Sequence, residues 1–398
     1  MFLEKLLRRN PNFMSAAVSL HQSNKIEANS YVIDLDTVTL NSKMLKEKGD
    51  ELGLDVIAMT KQVGRNPDFC EAVKAGGIID AVAVDFECAV YSRAAGLNIA
   101  HLGHLVQIPK AQIKRGIELE PKLWTIFNIE QAHAISKEAV KSGVDIGISL
   151  RVWNEECTFY KGHEGGIHEN AAVEVASLIS RLPNLSVLGV TSFPALLFDK
   201  EKNSLSITAN ARLISKVAKQ LEDLFAHEIV RNMPGTTSVA GMELLASAGA
   251  SQVEPGHGLT GTTPLSYLEE TPEIPAIAYV SEVAHHHMGR AYVFGGGLYR
   301  DPVLGEIPTF AAVISPHGKF ETHEVDMPNL GAIDYYAILS PSKTGYLPPV
   351  GTSVIFGFRP QVFVTRGLTV GIKDVGSHPV ALKHYGASGA NSLVKDGE

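Results

Sequence analysis

Val56-Ile-Ala-Met-Thr60 runs without a break into Lys61-Gln-Val-Gly-Arg-Asn-Pro67, and the fold follows from this stretch. A run of apolar and β-branched residues, ended by a lysine and then by Gly64 and Pro67, reads as a short strand buried on both faces. Seven similar runs follow it: Ala81 to Val84, Ile99 to Leu102, Leu123 to Phe127, Ile146 to Val152, Val187 to Ser192, Glu228 to Asn232 and Ser251 to Glu254. Amphipathic helical stretches such as Glu130 to Ser142 and Ala171 to Leu182 lie between them. Strand and helix in alternation build a parallel sheet, and eight strands close a (β/α)8 TIM-type barrel. All the strand ends then open onto one mouth.

Beyond Pro272 the texture changes. Pro272, Pro275, Pro302, Pro308 and Pro316 punctuate alternating runs such as Ile277-Ala-Tyr-Val-Ser-Glu-Val283, which predicts a mostly antiparallel β domain. Three parts are expected: an N-terminal helical segment over 1–30, the barrel over 31–271, and a C-terminal β domain over 272–398. Pro341 to Gly351 reads as a surface loop within the last part, and residues 386–398 as a polar tail that frays.

The 398 residues suit two domains at about 200 residues each. Hydrophobic residues make up 45% and charged residues 20%, an ordinary globular composition. A net charge of -8 argues against nucleic acid as a partner, since a phosphate backbone demands a basic face. Cys70, Cys88 and Cys157 have no paired spacing, so a disulfide framework and a zinc knuckle are not expected. No apolar run approaches the roughly 18 residues of a membrane span, and the apolar stretch after Met1 is too short for a secretory signal. A cytoplasmic protein with a small-molecule substrate is the expectation. His285, His286 and His287 are adjacent, so in a strand they point to alternate faces and no shared metal is expected.

Most lysines, among them Lys43, Lys46 and Lys137, fall on polar helix faces. Lys61 falls on the C-terminal lip of the first barrel strand. An ammonium drawn toward a barrel mouth is partly desolvated, so it loses its proton more readily and can attack a carbonyl. The eighth strand ends in Val253-Glu-Pro-Gly-His-Gly-Leu-Thr-Gly261, and the seventh is followed by Asn232-Met-Pro-Gly-Thr-Thr-Ser238. Glycines let backbone amides approach an anion, and phosphate sites recur after strands seven and eight of such barrels. A lysine and a phosphate cradle on one lip describe a ligand with an aldehyde at one end and a phosphate at the other.

On these residues, and on Tyr31-Val-Ile-Asp-Leu-Asp36 with Met59-Thr-Lys61, the chain resembles the alanine racemase-type, fold type III enzymes of pyridoxal 5′-phosphate (PLP). Within them it is most similar to the YhfX-like group. The resemblance covers nearly the whole chain. It implies that Lys61 is the Schiff-base lysine and that groups at Thr236, Thr237, Ser238, Gly256 and His257 hold the phosphate. It also implies a head-to-tail homodimer, in which each active site borrows residues from the partner's β domain.

Three departures from the racemase pattern bear on chemistry. Glu254 stands where racemases place an arginine against the pyridine nitrogen, and a carboxylate there favours a protonated ring, a stronger electron sink. Phe294-Gly295 stands where the family places a Tyr-Gly pair as the second base. Tyr292 and Tyr299 flank it and are the alternatives for that role. Ser192 ends the sixth strand where relatives often carry a histidine. The zinc-dependent aldolases and dehydratases of this fold use a histidine and a cysteine in the β domain. Here the matching stretch reads Phe358-Arg-Pro-Gln-Val-Phe363, so metal assistance of that kind is not expected. Arg65, Arg151 and Arg359 are candidates for gripping a substrate acid group, with a rim salt bridge as the alternative for each. His101 and His104 flank Gly103 at the end of the third strand, so at least one is expected to face the mouth; a histidine hydrogen-bonded to a neighbouring carbonyl is the expected role, with proton transfer as the alternative.

The function expected is removal of the α-proton from an amino acid or related amine, most simply by a racemase or epimerase. A lyase outcome by elimination, aldol cleavage or decarboxylation is the alternative, and a PLP carrier ranks below both.

Overall fold

A computed structural model describes residues 2–299, 309–329 and 332–390. The chain forms two compact units, one of Ser42–Thr60 and Val73–Leu259, the other of Met1–Asn41, Lys61–Ala72 and Thr260–Glu398.

The first unit is the barrel. Its parallel strands pair in the order Asp55–Val56, Gln252–Val253, Val230–Asn232, Leu185–Thr191, Ile146–Trp153, Leu123–Ile126, Asn98–Leu102, Asp80–Ala83 and Ala58–Met59. The first and last of these are two halves of a single strand broken at Ile57. The amides of Ile57 and Met59 donate to the carbonyls of Val253 and Pro255, at 3.0 and 2.9 Å, so the interrupted strand still follows its neighbour and closes the ring. Eight strands in the expected sequence result. Leu123–Ile126 is buried at every position, as a parallel strand covered on both faces must be. Helices are started by side-chain caps that satisfy otherwise orphaned amides: Asp85 accepts from Cys88, Asn128 from Gln131 and Ser238 from Gly241. A hairpin of Leu196–Asp199 and Ser204–Ile207, not foreseen from sequence, follows the sixth strand.

The second unit holds a nine-stranded sheet. Arg290–Phe294, Tyr336–Leu339, Phe320–Asp326, Thr309–Ile314, Ser353–Phe356 and Ile277–His287 pair in that order, and the last returns to the first, closing an antiparallel ring. The expected C-terminal β architecture is therefore present. Its boundary differs from the expectation of a barrel spanning 31–271. Ser30–Asp34 pairs antiparallel with Ile277–Val280 and parallel with Leu368–Ile372, and so lies inside this sheet. A five-residue strand buried throughout reads the same in either sheet, so its pattern does not name its partners. The helices Phe2–Arg9 and Pro11–Gln22, expected as a separate segment, pack Leu3, Leu6, Phe13 and Met14 against Val280, Ile355 and Val370 of the same sheet. The end of the expected polar tail, 391–398, lies outside the described residues.

Candidate active site

The polar centre of the barrel unit is built around Glu254, the residue after the eighth strand, whose side chain is 1% exposed. An isolated carboxylate buried so deeply would cost several kcal/mol, on the order of 5, so the groups around it must compensate. Asn232, at the end of the adjacent seventh strand, donates from Nδ2 to Glu254 Oε1 at 2.8 Å. The same amide nitrogen donates to Gln252 Oε1 at 3.1 Å, and the amide oxygen accepts from Thr191 Oγ1 at 2.7 Å. These bonds fix which way Asn232 points and hence where Glu254 is held.

Two histidines approach from the third strand. His104 Nε2 lies 3.2 Å from Glu254 Oε2, and His101 Nδ1 lies 4.0 Å from Oε1. Residues three apart on a strand face opposite sides. Gly103, at φ +78°, turns the chain after the strand ends so that both rings reach one centre, 5.6 Å apart. His101 is fully buried and its Nε2 is bonded to Thr125 Oγ1. Burial pushes its imidazole down to about 4, against a hydrogen bond to Gln252 that raises it. His101 is accordingly neutral near neutrality.

At least one of the two was expected to face the mouth; that both converge on Glu254 was not foreseen. The signal was present in His101-Leu-Gly-His104, where a glycine at a strand end permits the turn.

Arg151, a sequence candidate for gripping substrate, is 0% exposed. Its Nε donates to Gly165 O at 3.2 Å, Nη1 to His104 O at 2.6 Å and Nη2 to His163 O at 2.6 Å. The guanidinium also lies 4.8 Å from the Phe127 ring, and burial lowers its pKa to about 10. Three of its five N–H donors thus go to main-chain carbonyls, so Arg151 clamps backbone here and is not a rim salt bridge. Ser192 is likewise committed, its Oγ accepting from Asn210 Nδ2 at 3.0 Å.

The loops after strands seven and eight touch. A Cβ on Gly258 would lie 2.8 Å from Thr237 O. Gly235 is pressed on the hairpin, since its Cβ would lie 2.3 Å from Leu196 O. The expected backbone donors are already used: Thr236 N–H goes to Leu196 O and Thr237 N–H to Gly235 O, each at 3.0 Å. Ser238 Oγ caps the next helix. The Thr237 hydroxyl is what this loop offers, buried and without a hydrogen-bond partner among the described residues. Gly256 and His257 are buried in the second loop, which closes as a turn through Leu259 N–H to Gly256 O at 3.1 Å.

In the second unit, Lys61 opens the short helical turn Lys61–Val63, half-buried, with Nζ 4.8 Å from the centre of the Phe363 ring. Gly64 and Arg65 follow in left-handed conformation, and Asn66 then caps Phe69 N–H at 2.9 Å and reaches Thr369 Oγ1 at 3.0 Å. A left-handed arginine costs about 1 kcal/mol, so the turn after Lys61 is held against its preference. Arg65 is 2% exposed, whereas Arg359 is half-buried. Tyr292 is half-buried and stacks on His285 at 4.6 Å, while Phe294 is exposed near Tyr336. Tyr299 is half-buried, with its N–H on Gly297 O.

Family models match both parts of the chain: "Alanine racemase, N-terminal domain" over residues 33–264 and "YhfX-like, C-terminal domain" over 278–382. The protein YhfX of Escherichia coli (strain K12) is 36% identical over 394 residues, 99% of this chain and all of that protein. Among solved structures, D-threonine aldolase from Filomicrobium marinum superposes with a TM-score of 0.67 at 14% identity, covering 92% of this chain and 96% of that one. Alanine racemase of Clostridium difficile 630 in complex with cycloserine superposes with a TM-score of 0.63 at 14% identity, covering 90% and 98%. An aldolase and a racemase share the fold, so the fold does not fix the reaction. Among the described residues, no helix is long and apolar enough to cross a membrane. The chain belongs to the alanine racemase-type family of PLP-dependent proteins and carries the YhfX-like C-terminal domain of that family's YhfX branch.

Proposed function

We propose that the chain is a PLP-dependent enzyme acting at the α-carbon of an amino acid or related amine, most simply as a racemase or epimerase. The observation that carries the proposal is Glu254, a buried carboxylate held by Asn232 beside a glycine-lined loop pair with a spare buried hydroxyl on Thr237. This set fits PLP at both ends. Glu254 would face the pyridine nitrogen, and the Thr237 hydroxyl with the loops at Thr236, Ser238, Gly256 and His257 would hold the phosphate. Lys61 would carry the aldehyde carbon; it is two residues past Met59, whose amide is bonded to Pro255 in the same loop.

When bound, PLP supplies an electron sink for charge left at an α-carbon. Glu254 would keep a proton on the ring nitrogen, since a carboxylate stabilises the cationic pyridinium. The Lys61 amine would take or return the α-proton from one side. Tyr292 or Tyr299 of a second copy would serve the other side in a head-to-tail homodimer, and Arg65 or Arg359 would meet the substrate's acid group. Phe294 at the position of the family's tyrosine base favours a second reading, a lyase in which no return of the proton on that side is needed.

Borohydride reduction of protein incubated with PLP, followed by mass measurement, is expected to add the cofactor to the Lys61 peptide. An unlabelled Lys61 peptide would end the proposal. Single enantiomers in deuterated water then separate the two reactions: labelled antipode supports racemisation, and a changed carbon skeleton supports the lyase.

A further inference from the structure

Three features of the barrel unit converge on one oxygen of Glu254. Gly103 turns the chain at φ +78°, His104 Nε2 comes to 3.2 Å from Glu254 Oε2, and Arg151 Nη1 holds the carbonyl of His104 at 2.6 Å. Asn232 accounts for the other oxygen, Oε1. Arg151 is fully buried, and it also donates to Gly165 O and His163 O in the loop after the fifth strand. That loop is further tied by Thr158 N–H to Asn210 Oδ1 at 2.9 Å and by Asn210 to Ser192. The position of the His104 backbone is thus set by a guanidinium anchored on two other carbonyls. Behind the ring stands Phe193 at 6.4 Å, packed in turn on His163 at 5.8 Å, which limits where the imidazole can swing.

A buried arginine normally serves a carboxylate or phosphate. Here it is spent on backbone, which is reasonable only if the carbonyls it gathers need fixed places. One of them belongs to the residue beside the carboxylate at the centre of the barrel.

We infer that His104 is the positioning residue for Glu254, and that Arg151 acts through it by locking its backbone to the loop at 163–165. The inference rests on the reading that Glu254 faces the pyridine nitrogen of PLP. Without His104 the Oε2 side of the carboxylate loses the ring nitrogen 3.2 Å away, and the group is freer to rotate. It then meets the ring nitrogen less well. Neither residue needs to touch the cofactor for this effect.

The test uses the full chain with PLP as the probe, read by the absorption band of the bound cofactor and by its dissociation constant. His104→Phe keeps a ring against Phe193 but removes the nitrogen. It is expected to weaken PLP by about tenfold and to move the band in the direction seen with Glu254→Gln. His104→Gln places an N–H near the position of Nε2 and is expected to restore most of both. Arg151→Lys keeps the charge but cannot span three carbonyls, and is expected to fall between, with far-ultraviolet circular dichroism unchanged. If Glu254→Gln alters the cofactor and both His104→Phe and Arg151→Lys leave it as in the wild type, the inference is overturned. It is overturned equally if His104→Gln is no better than His104→Phe. If Glu254→Gln itself changes nothing, the failure belongs to the assignment of Glu254. Should His104→Phe not fold, Arg151→Lys and His104→Gln still decide.

Discussion

Burial, against a hydrogen bond to Gln252, keeps the His101 ring neutral down to about 4, well below the ordinary value of 6.5 for histidine. In the unfolded chain the same ring takes up a proton near 6.5, so between those values the unfolded state binds more protons. Stability contributed by the neutral ring is therefore complete above about 6.5 and is lost as pH falls toward 4. A gap of this size amounts to about 3 kcal/mol. His101→Gln, which retains a polar end for Thr125 and cannot be protonated, is expected to flatten this part of the acid limb. Urea midpoints for both proteins across the window are the measurement, and parallel curves would show that the ring does not titrate as its burial requires. His101 also shows what residue-level reading can reach. Its confinement at a strand end was legible from position, but its neutrality comes from complete burial by residues of other strands, which position alone does not show.

The loop that offers the Thr237 hydroxyl is held as an element, and its support is the hairpin Leu196–Asp199 and Ser204–Ile207. Ala195 N–H reaches Pro234 O at 2.7 Å, Thr236 N–H reaches Leu196 O at 3.0 Å, and Gly235 lies flat on Leu196. A methyl group on Gly235 meets backbone at 2.3 Å, which cannot be relieved by a rotamer change. Gly235→Ala is expected to lift the loop off the hairpin, weakening PLP by tenfold or more, about 1.4 kcal/mol, while the parallel sheet keeps its circular dichroism. Unchanged PLP affinity would mean that this loop is not the phosphate cradle. At this scale the eight barrel strands were legible because each is a short apolar run with its own flanking breakers. The hairpin was not, since its strands are four-residue, largely half-buried runs, and only Ser204-Leu-Ser-Ile207 alternates, too briefly to mark a strand by itself. Nor was the allegiance of Ser30–Asp34 legible, because pairing is decided by partners far along the chain.

Neither unit is a continuous stretch of chain, and that has a consequence for the molecule as a whole. Composition places a boundary near residue 272, yet the sheet of the second unit takes in Ser30–Asp34, and its apolar face is covered by helices from the first 22 residues. Residues 272–398 expressed alone would retain the hydrogen bonds of the closed antiparallel ring. They would lose the cover of Leu3, Leu6, Phe13, Met14, Val18 and Ile26, each no more than 2% exposed in the intact chain. At about 2 kcal/mol for each large side chain buried, that cover contributes on the order of 10 kcal/mol, as much as the net stability of a typical domain. The ladder of Ile277–Val280 opposite Ser30–Ile33 would also be left open, and an unpaired edge beside bare apolar surface invites aggregation. Apolar cover should therefore outweigh ring closure: the fragment 272–398 alone is expected to aggregate or lack a cooperative thermal transition, and co-expression with residues 1–41 is expected to yield a soluble complex with one. A fragment that melts cooperatively by itself would show that the ring is sufficient and that the N-terminal helices and strand are an addition to a sheet already stable.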